Sequence, residues 1–217
     1  MKNLLIKEFR LAASPLSYIF LAATLMTLLP GYPILVGTFF VCQGLFQSFL
    51  NAREADDMLY TVLLPIRKTD FVRSKYLFSC YIEICGFLLC SLLTALRMTL
   101  LSSSEVYITN PLMNATPVYI AFVLLIFASF NWLFIGGYFK NGYKLGIPFL
   151  KFGIACLLLI VVEEALPHFP GLAFLHAPAG EQIGFQFLLL GIAAVLYAGV
   201  TFLSYRNSCR HFENLDL

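Results

Sequence analysis

The sequence predicts an all-α polytopic membrane protein with six transmembrane helices and both termini on the cytoplasmic side. Three observations carry this. The 217-residue chain is 60% hydrophobic and 12% charged, against roughly 25% charge in a soluble domain, and its mean hydropathy is +0.84. Its apolar residues fall in long runs, and a crossing takes about 17–25 residues. Thirteen of its 14 Lys and Arg residues sit in short polar segments that alternate with segments holding none. The basic segments hold Lys2, Lys7 and Arg10; Arg53, Arg67, Lys68, Arg73 and Lys75; Lys140, Lys144 and Lys151; and Arg206 and Arg210. The turn at 30–33 and the segments 101–116 and 167–183 hold none. Positive charge is retained on the cytoplasmic face, so the alternation sets the topology.

Residues 2–13 read as an amphipathic interfacial helix with Leu4, Leu5, Phe9 and Ala12 on one face and Lys2, Lys7 and Arg10 off it. The first span is expected at 16–29, with Pro15 in its first turn. "PGYP" breaks the chain before a second span at 33–50. Both flanks of this pair lie inside whether it is a full hairpin or a re-entrant dip; a hairpin is expected. The third span is placed at 76–99, the fourth at 117–139, the fifth at 150–166 and the sixth at 184–204. The outer segment "PHFPGLAFLHAPAGEQI" is apolar enough to fold back on the outer leaflet. With no repeat and no composition break, 1–217 reads as one transmembrane domain.

Several function classes drop out. Basic residues dispersed among apolar helices do not make a nucleic-acid surface. The six cysteines avoid the outer loops, which argues against a disulfide framework. Cys80, Cys85 and Cys90 are spaced by five, so each turns about 140° from the last on a helix; no metal site is expected. Glu8 and the absence of a small-residue cleavage site argue against a signal peptide.

The most specific segment is "NAREADDMLYTVLLPIRKTDFVRSKYL" at 51–77. Asp56 and Asp57 favour the positive end of a short helix. Met58, Leu59, Val62 and Leu63 make an apolar stripe at helical spacing. Pro65 ends that helix, Arg67 and Lys68 follow, and Thr69 is expected to cap a second helix that runs into the third span. Such a segment either lies on the headgroups or docks a cytoplasmic partner.

Asp56–Asp57, Leu64–Pro65, Arg67–Lys68, Asp70 and Lys75–Tyr76–Leu77 together resemble the segment between spans two and three of type-2 ATP-binding-cassette (ABC) export permeases. The layout of an interfacial helix, six spans and a folded outer segment is similar as well. The small size resembles membrane subunits that export phenol-soluble modulins and peptide antibiotics. The resemblance implies a transport subunit, not an enzyme, in a multi-pass form in the bacterial cell membrane. It implies a dimer with a second permease copy, identical or related. It further implies that separate cytoplasmic ATPases grip the helix at about 55–65, and that an amphipathic cargo moves outward. The chain has no G-x-x-x-x-G-K-[ST] loop, so ATP and Mg²⁺ are expected on the partner and no cofactor here.

Ionisable and polar groups within spans are functional candidates by default. Glu83 either faces a translocation path or pairs with a neighbouring helix. Gln43 and Gln47 lie one turn apart on the second span and Asn131 lies mid-way along the fourth, suited to a path or to interhelical hydrogen bonds. Arg97, near the outer end of the third span, is expected to snorkel. Ala194 and Ala198, and Gly136–Gly137, are expected to pack within the chain. Glu163 and Glu164 read as outer-face carboxylates. With His168 they also raise an alternative, an intramembrane protease-like enzyme, although no Arg follows the paired Glu. An ATP-independent secondary carrier is the third reading.

Overall fold

The computed structural model describes residues 2–109, 112, 114–141, 144–177 and 182–214, and all regular structure in it is helical. Helix α1 (Lys2–Lys7) runs into a π-type turn (Glu8–Ala12), and the chain then bends by 89° into α2 (Pro15–Ile19) and a 3-10 stretch (Phe20–Leu28). Ser14 caps α2 by accepting from the Leu16 amide. Helix α3 (Val36–Glu54) returns, a two-residue break leads to α4 (Asp57–Val62), and α5 (Lys68–Thr99) follows. A short α6 (Glu105–Ile108) precedes α7 (Pro117–Ser129), which continues through a π-type turn (Phe130–Ile135) into α8 (Gly136–Lys140). Helices α9 (Gly146–Ala165) and α10 (Ile183–Glu213) complete the bundle, separated by the 3-10 turns Leu166–His168 and Ala173–Leu175.

Among the described residues, four helical stretches are long and apolar enough to cross a membrane: Lys68–Thr99, Pro117–Lys140, Gly146–His168 and Ile183–Glu213. The bent pair Asn3–Ala12 and Pro15–Leu28 is a fifth candidate. Length and composition therefore support four to five spans where the charge pattern predicts six. The difference lies in the first hairpin. Its α2 arm winds partly as 3-10 helix, and α3 carries Gln43, Gln47, Asn51, Arg53 and Glu54.

The α7–α8 rod is the axis of the bundle, with 78% of its most apolar window buried, against 11% for α10. Between lipid and protein no hydrophobic gradient drives helices together, so close packing must hold them. Two devices supply it. Phe134 packs ring to ring with Phe46, Phe49, Phe130 and Phe149 at centroid distances of 4.8–5.8 Å. On the other side, α2 and α3 meet backbone to backbone: a Cβ on Gly37 would lie 2.6 Å from the Ala23 carbonyl, and one on Gly44 2.9 Å from that of Leu16. The seam is completed by Ser17, whose hydroxyl donates to the Gly44 carbonyl at 2.6 Å.

Candidate functional site

The site is built around α4. Ala55 and Asp56 turn the chain out of α3, with Asp56 in the left-handed region at φ +48°, which Asp tolerates better than most residues. Asp57 then opens the helix. Its carboxylate lies 2.6 Å from Lys7 Nζ and 3.1 Å from Lys75 Nζ. Lys75 also reaches Glu8 at 2.7 Å, and Lys7 lies 3.4 Å from Glu8. Lys7 donates to Thr61 Oγ1 at 2.8 Å. Both ammonium groups sit over the Phe71 ring, 5.4 and 5.6 Å from its centroid.

Two cations and two anions thus alternate where α1, α4 and α5 meet. Glu8 and Lys75 are buried, a placement ions tolerate only when their partners are close and well oriented. Burial pushes the Asp57 carboxyl up, but Lys75 and Lys7 outweigh it and hold the group below the usual carboxylate range. This clasp ties the short helix to the interfacial helix and to the foot of the third expected span. A cavity of about 380 Å³ lies beside it, bounded by Lys7, Ala52, Asp57, Tyr60, Thr61 and Leu64.

The opposite side of α4 is apolar and uncovered. Leu59 is 59% exposed and Leu63 75%, while Tyr60 and Leu64, also exposed, stand beside the cavity on the clasp side. Met58 turns inward and packs on the core, so it leaves the expected stripe. The side chain of Val62 lies outside the described residues. The helix stops at Val62, ahead of Pro65, and is shorter than the expected 55–65. Pro65 and Arg67 are exposed in the connection that follows. Arg67, not Thr69, stands at the cap position of α5, with no side-chain capping bond.

Residues 3–213 match the family described as ABC-2 family transporter protein. The chain belongs to that family. It is the multi-pass membrane permease component of an ABC-2 type transporter, and permeases of this kind pair with ABC ATPase subunits. No curated protein and no solved structure matches it.

Within the spans of the ABC-2 permease, the polar residues gather in the protein interior. Asn131 Nδ2 donates to Glu83 Oε2 at 2.9 Å and to Thr201 Oγ1 at 3.0 Å, and Tyr197 donates to the same Glu83 oxygen at 2.6 Å. Glu83 and Asn131 are both buried, so they knit α5, the π turn and α10 together. Ser204 donates to the Asn131 carbonyl at 2.6 Å, an acceptor that the π turn leaves bonded to the amide of Gly136. Gln43 and Gln47 are half-buried on α3 and make no side-chain hydrogen bond among the described residues.

Three expectations need correction. Arg97 does not snorkel; it is 4% exposed, donates to the Thr27 carbonyl at 2.7 Å and to Asn114 Oδ1 at 2.9 Å, and lies over the Tyr107 ring. A guanidinium with two acceptors and an aromatic face within reach gains more inside than at the headgroups. Glu163 is fully buried rather than an outer-face carboxylate, while Glu164 is half-buried; the last turns of α9 carry Glu163 inward. Ala194 and Ala198 are exposed on α10 and do not pack within the chain, whereas a Cβ on Gly136 would meet Ser204 and one on Gly137 would meet Pro148.

The clasp partners Lys7, Glu8, Lys75 and Thr61 were not brought together by the sequence reading. The one available signal was Glu8, a lone acid in an otherwise basic amphipathic helix.

Proposed function

We propose that this permease is one half of an exporter in the bacterial cell membrane. It pairs with a second permease copy, identical or related, and is driven by ATPases that supply ATP and Mg²⁺ chemistry. Six crossings with both ends inside put α4 on the cytoplasmic face, as the Lys and Arg pattern requires. A cleft of the ATPase takes Leu59 and Leu63, with Asp56, Tyr60, Leu64, Pro65 and Arg67 at the rim. Met58 and Asp57 face the other way and pass the movement on.

The observation that carries this reading is the two-sidedness of α4: an uncovered apolar edge on one side and a charge clasp to α1 and α5 on the other. Closure of the ATPases would push α4, and the clasp would drag α5 and the interfacial helix with it. Gln43 and Gln47 are the residues we assign to the path between the two copies. Glu83 and Asn131 border it by holding the helices whose separation would open it. Apolar and aromatic walls suit an amphipathic cargo such as a peptide, antibiotic or lipid-like molecule, and Glu164 at the outer end would screen a cationic one on exit.

Copurification tests the reading. The wild-type permease, coexpressed with the ATPase encoded beside it, should retain that ATPase through detergent extraction. Leu59→Asp with Leu63→Asp should lose it while leaving the permease folded. Retention by the double variant would remove the assigned role of α4. The protease-like alternative has no comparable support: Glu163 is sealed, and no group of three His, Cys, Asp or Glu side chains able to hold a metal converges among the described residues.

A further inference from the structure

A second concavity, of about 260 Å³, lies where α7–α8, the start of α9 and the end of α10 meet. Lys140, Lys151 and His211 line it, with the amides of Asn141 and Asn207 and the indole of Trp132. Among the described residues no Asp or Glu lines it. Among the described residues neither Lys140 nor Lys151 has an ion pair, in contrast to Lys7 and Lys75, which two carboxylates neutralise in the clasp. The groove therefore concentrates positive charge at the basic end of the bundle.

Its shape follows from the sequence. The π turn Phe130–Ile135 displaces the α7 surface just before two glycines. A Cβ on Gly137 would approach Pro148 Cβ to 2.9 Å, so α8 and α9 meet there with no side chain between them. The floor is thus made of small residues and the rim of long cationic ones. Trp132 lies eight positions before Lys140, about 12 Å along the helix at 1.5 Å per residue. It is 45% exposed on a span-forming helix, and an exposed side chain there faces acyl chains, a favoured setting for indole near the membrane boundary.

We infer that this groove binds the phosphate of an anionic phospholipid, with the headgroup between Lys140, Lys151 and His211 and an acyl chain against Trp132. Charge complementarity selects the headgroup: basic pockets between helices on the cytoplasmic side hold anionic lipids, and each lysine near such a surface strengthens association about fivefold. A zwitterionic lipid offers the same phosphate but brings its own cation into a concavity where, among the described residues, no acid receives it. The inference rests on the chain being a membrane protein, not on the export reading. Only the name of the leaflet depends on the proposed orientation.

The chain has one tryptophan, so its fluorescence reports on this groove alone. The purified full-length permease is reconstituted in phosphatidylcholine vesicles containing either brominated phosphatidylglycerol or brominated phosphatidylcholine at equal mole fraction. Bromine should quench Trp132 with an apparent association about fivefold or more stronger for the anionic lipid. Lys140→Gln with Lys151→Gln should abolish the preference. Arg53→Gln with Arg73→Gln, an equal charge change at exposed positions outside the groove, should keep it. Equal quenching by the two lipids in the wild type overturns the inference, as does a preference that survives the lysine substitutions. A preference erased by inorganic phosphate in the buffer also overturns it, since solution phosphate would then be the ligand. Should the lysine variant not fold, the wild-type comparison decides alone.

Discussion

The ammonium of Lys75 on α5 lies 3.1 Å from the carboxylate of Asp57 on α4, across 18 positions of sequence. That contact, with its counterparts at Glu8 and Lys7, makes α4 part of the bundle rather than a loop resting on the membrane. Replacing Lys75 by Met leaves Glu8 buried without its closest cation, and breaking a buried pair costs about 3 kcal/mol or more. The variant should unfold at lower denaturant concentration in detergent. Adding Glu8→Gln should recover a substantial part of the loss, because the unpaired charge is then gone. A double-mutant cycle in which the two losses simply add would show the pair to be unconnected.

The clasp also sets an acid limit on stability. Asp57 is held below its ordinary value in the folded protein. Its contribution is therefore complete above the unfolded carboxylate pKa of about 3.9 and disappears as pH falls through the lower folded value. Thermal unfolding followed from pH 7 to pH 3 should show no pH dependence from this group at the neutral end, where its contribution is complete. Asp57→Asn should be less stable than wild type at pH 7, and the gap should close only at the acid end.

At the opposite end of the bundle, His176 accepts from the Asn114 amide through Nδ1 at 3.3 Å. Burial lowers its imidazole below the ordinary value, helped by His168 and Arg97 nearby. A lowered pKa means that the neutral ring is the stabilising form. Its contribution is present above about pH 6.5 and is lost as pH falls through the lower folded value. Protonation removes the acceptor for Asn114 and sets a second cation near Arg97. Unfolding midpoints at pH 7.5 and pH 5 should differ more in the wild type than in His176→Gln.

The α2–α3 seam allows no side chain at Gly37. A Cβ there meets a backbone oxygen at 2.6 Å, which no rotamer change can relieve, and overpacking of this kind costs about 1–3 kcal/mol. Gly37→Ala should lower thermal stability in detergent, whereas Gly153→Ala, with nothing within 4 Å, should not.

What sequence alone made legible was whatever depends on local composition. The fourth span is the clearest case: the apolar run expected at 117–139 lies within the helix Pro117–Lys140. Asp57 as a helix opener belongs to the same class, since the dipole that favours it is local. The clasp around Asp57 was not legible, because contacts such as Glu8 to Lys75 span most of the first third of the chain and leave no periodic trace. Arg97 was misread for a related reason. Distance from the helix end predicts snorkelling, but the Thr27 carbonyl and Asn114 come from other elements. Met58 shows the limit of the stripe argument: apolar spacing identifies a face without saying which of its residues the core will claim.

The central claim is that the exposed edge of α4 meets the ATPase, and photo-crosslinking in cells tests it most directly. A benzophenone amino acid is placed at Leu63, which is 75% exposed on that edge, or at Ile108, which is 65% exposed at the far end of the bundle. Irradiation should yield an adduct with the coexpressed ATPase from position 63 and none from position 108. An adduct from position 108, or none from position 63 while the ATPase still copurifies, would contradict the account.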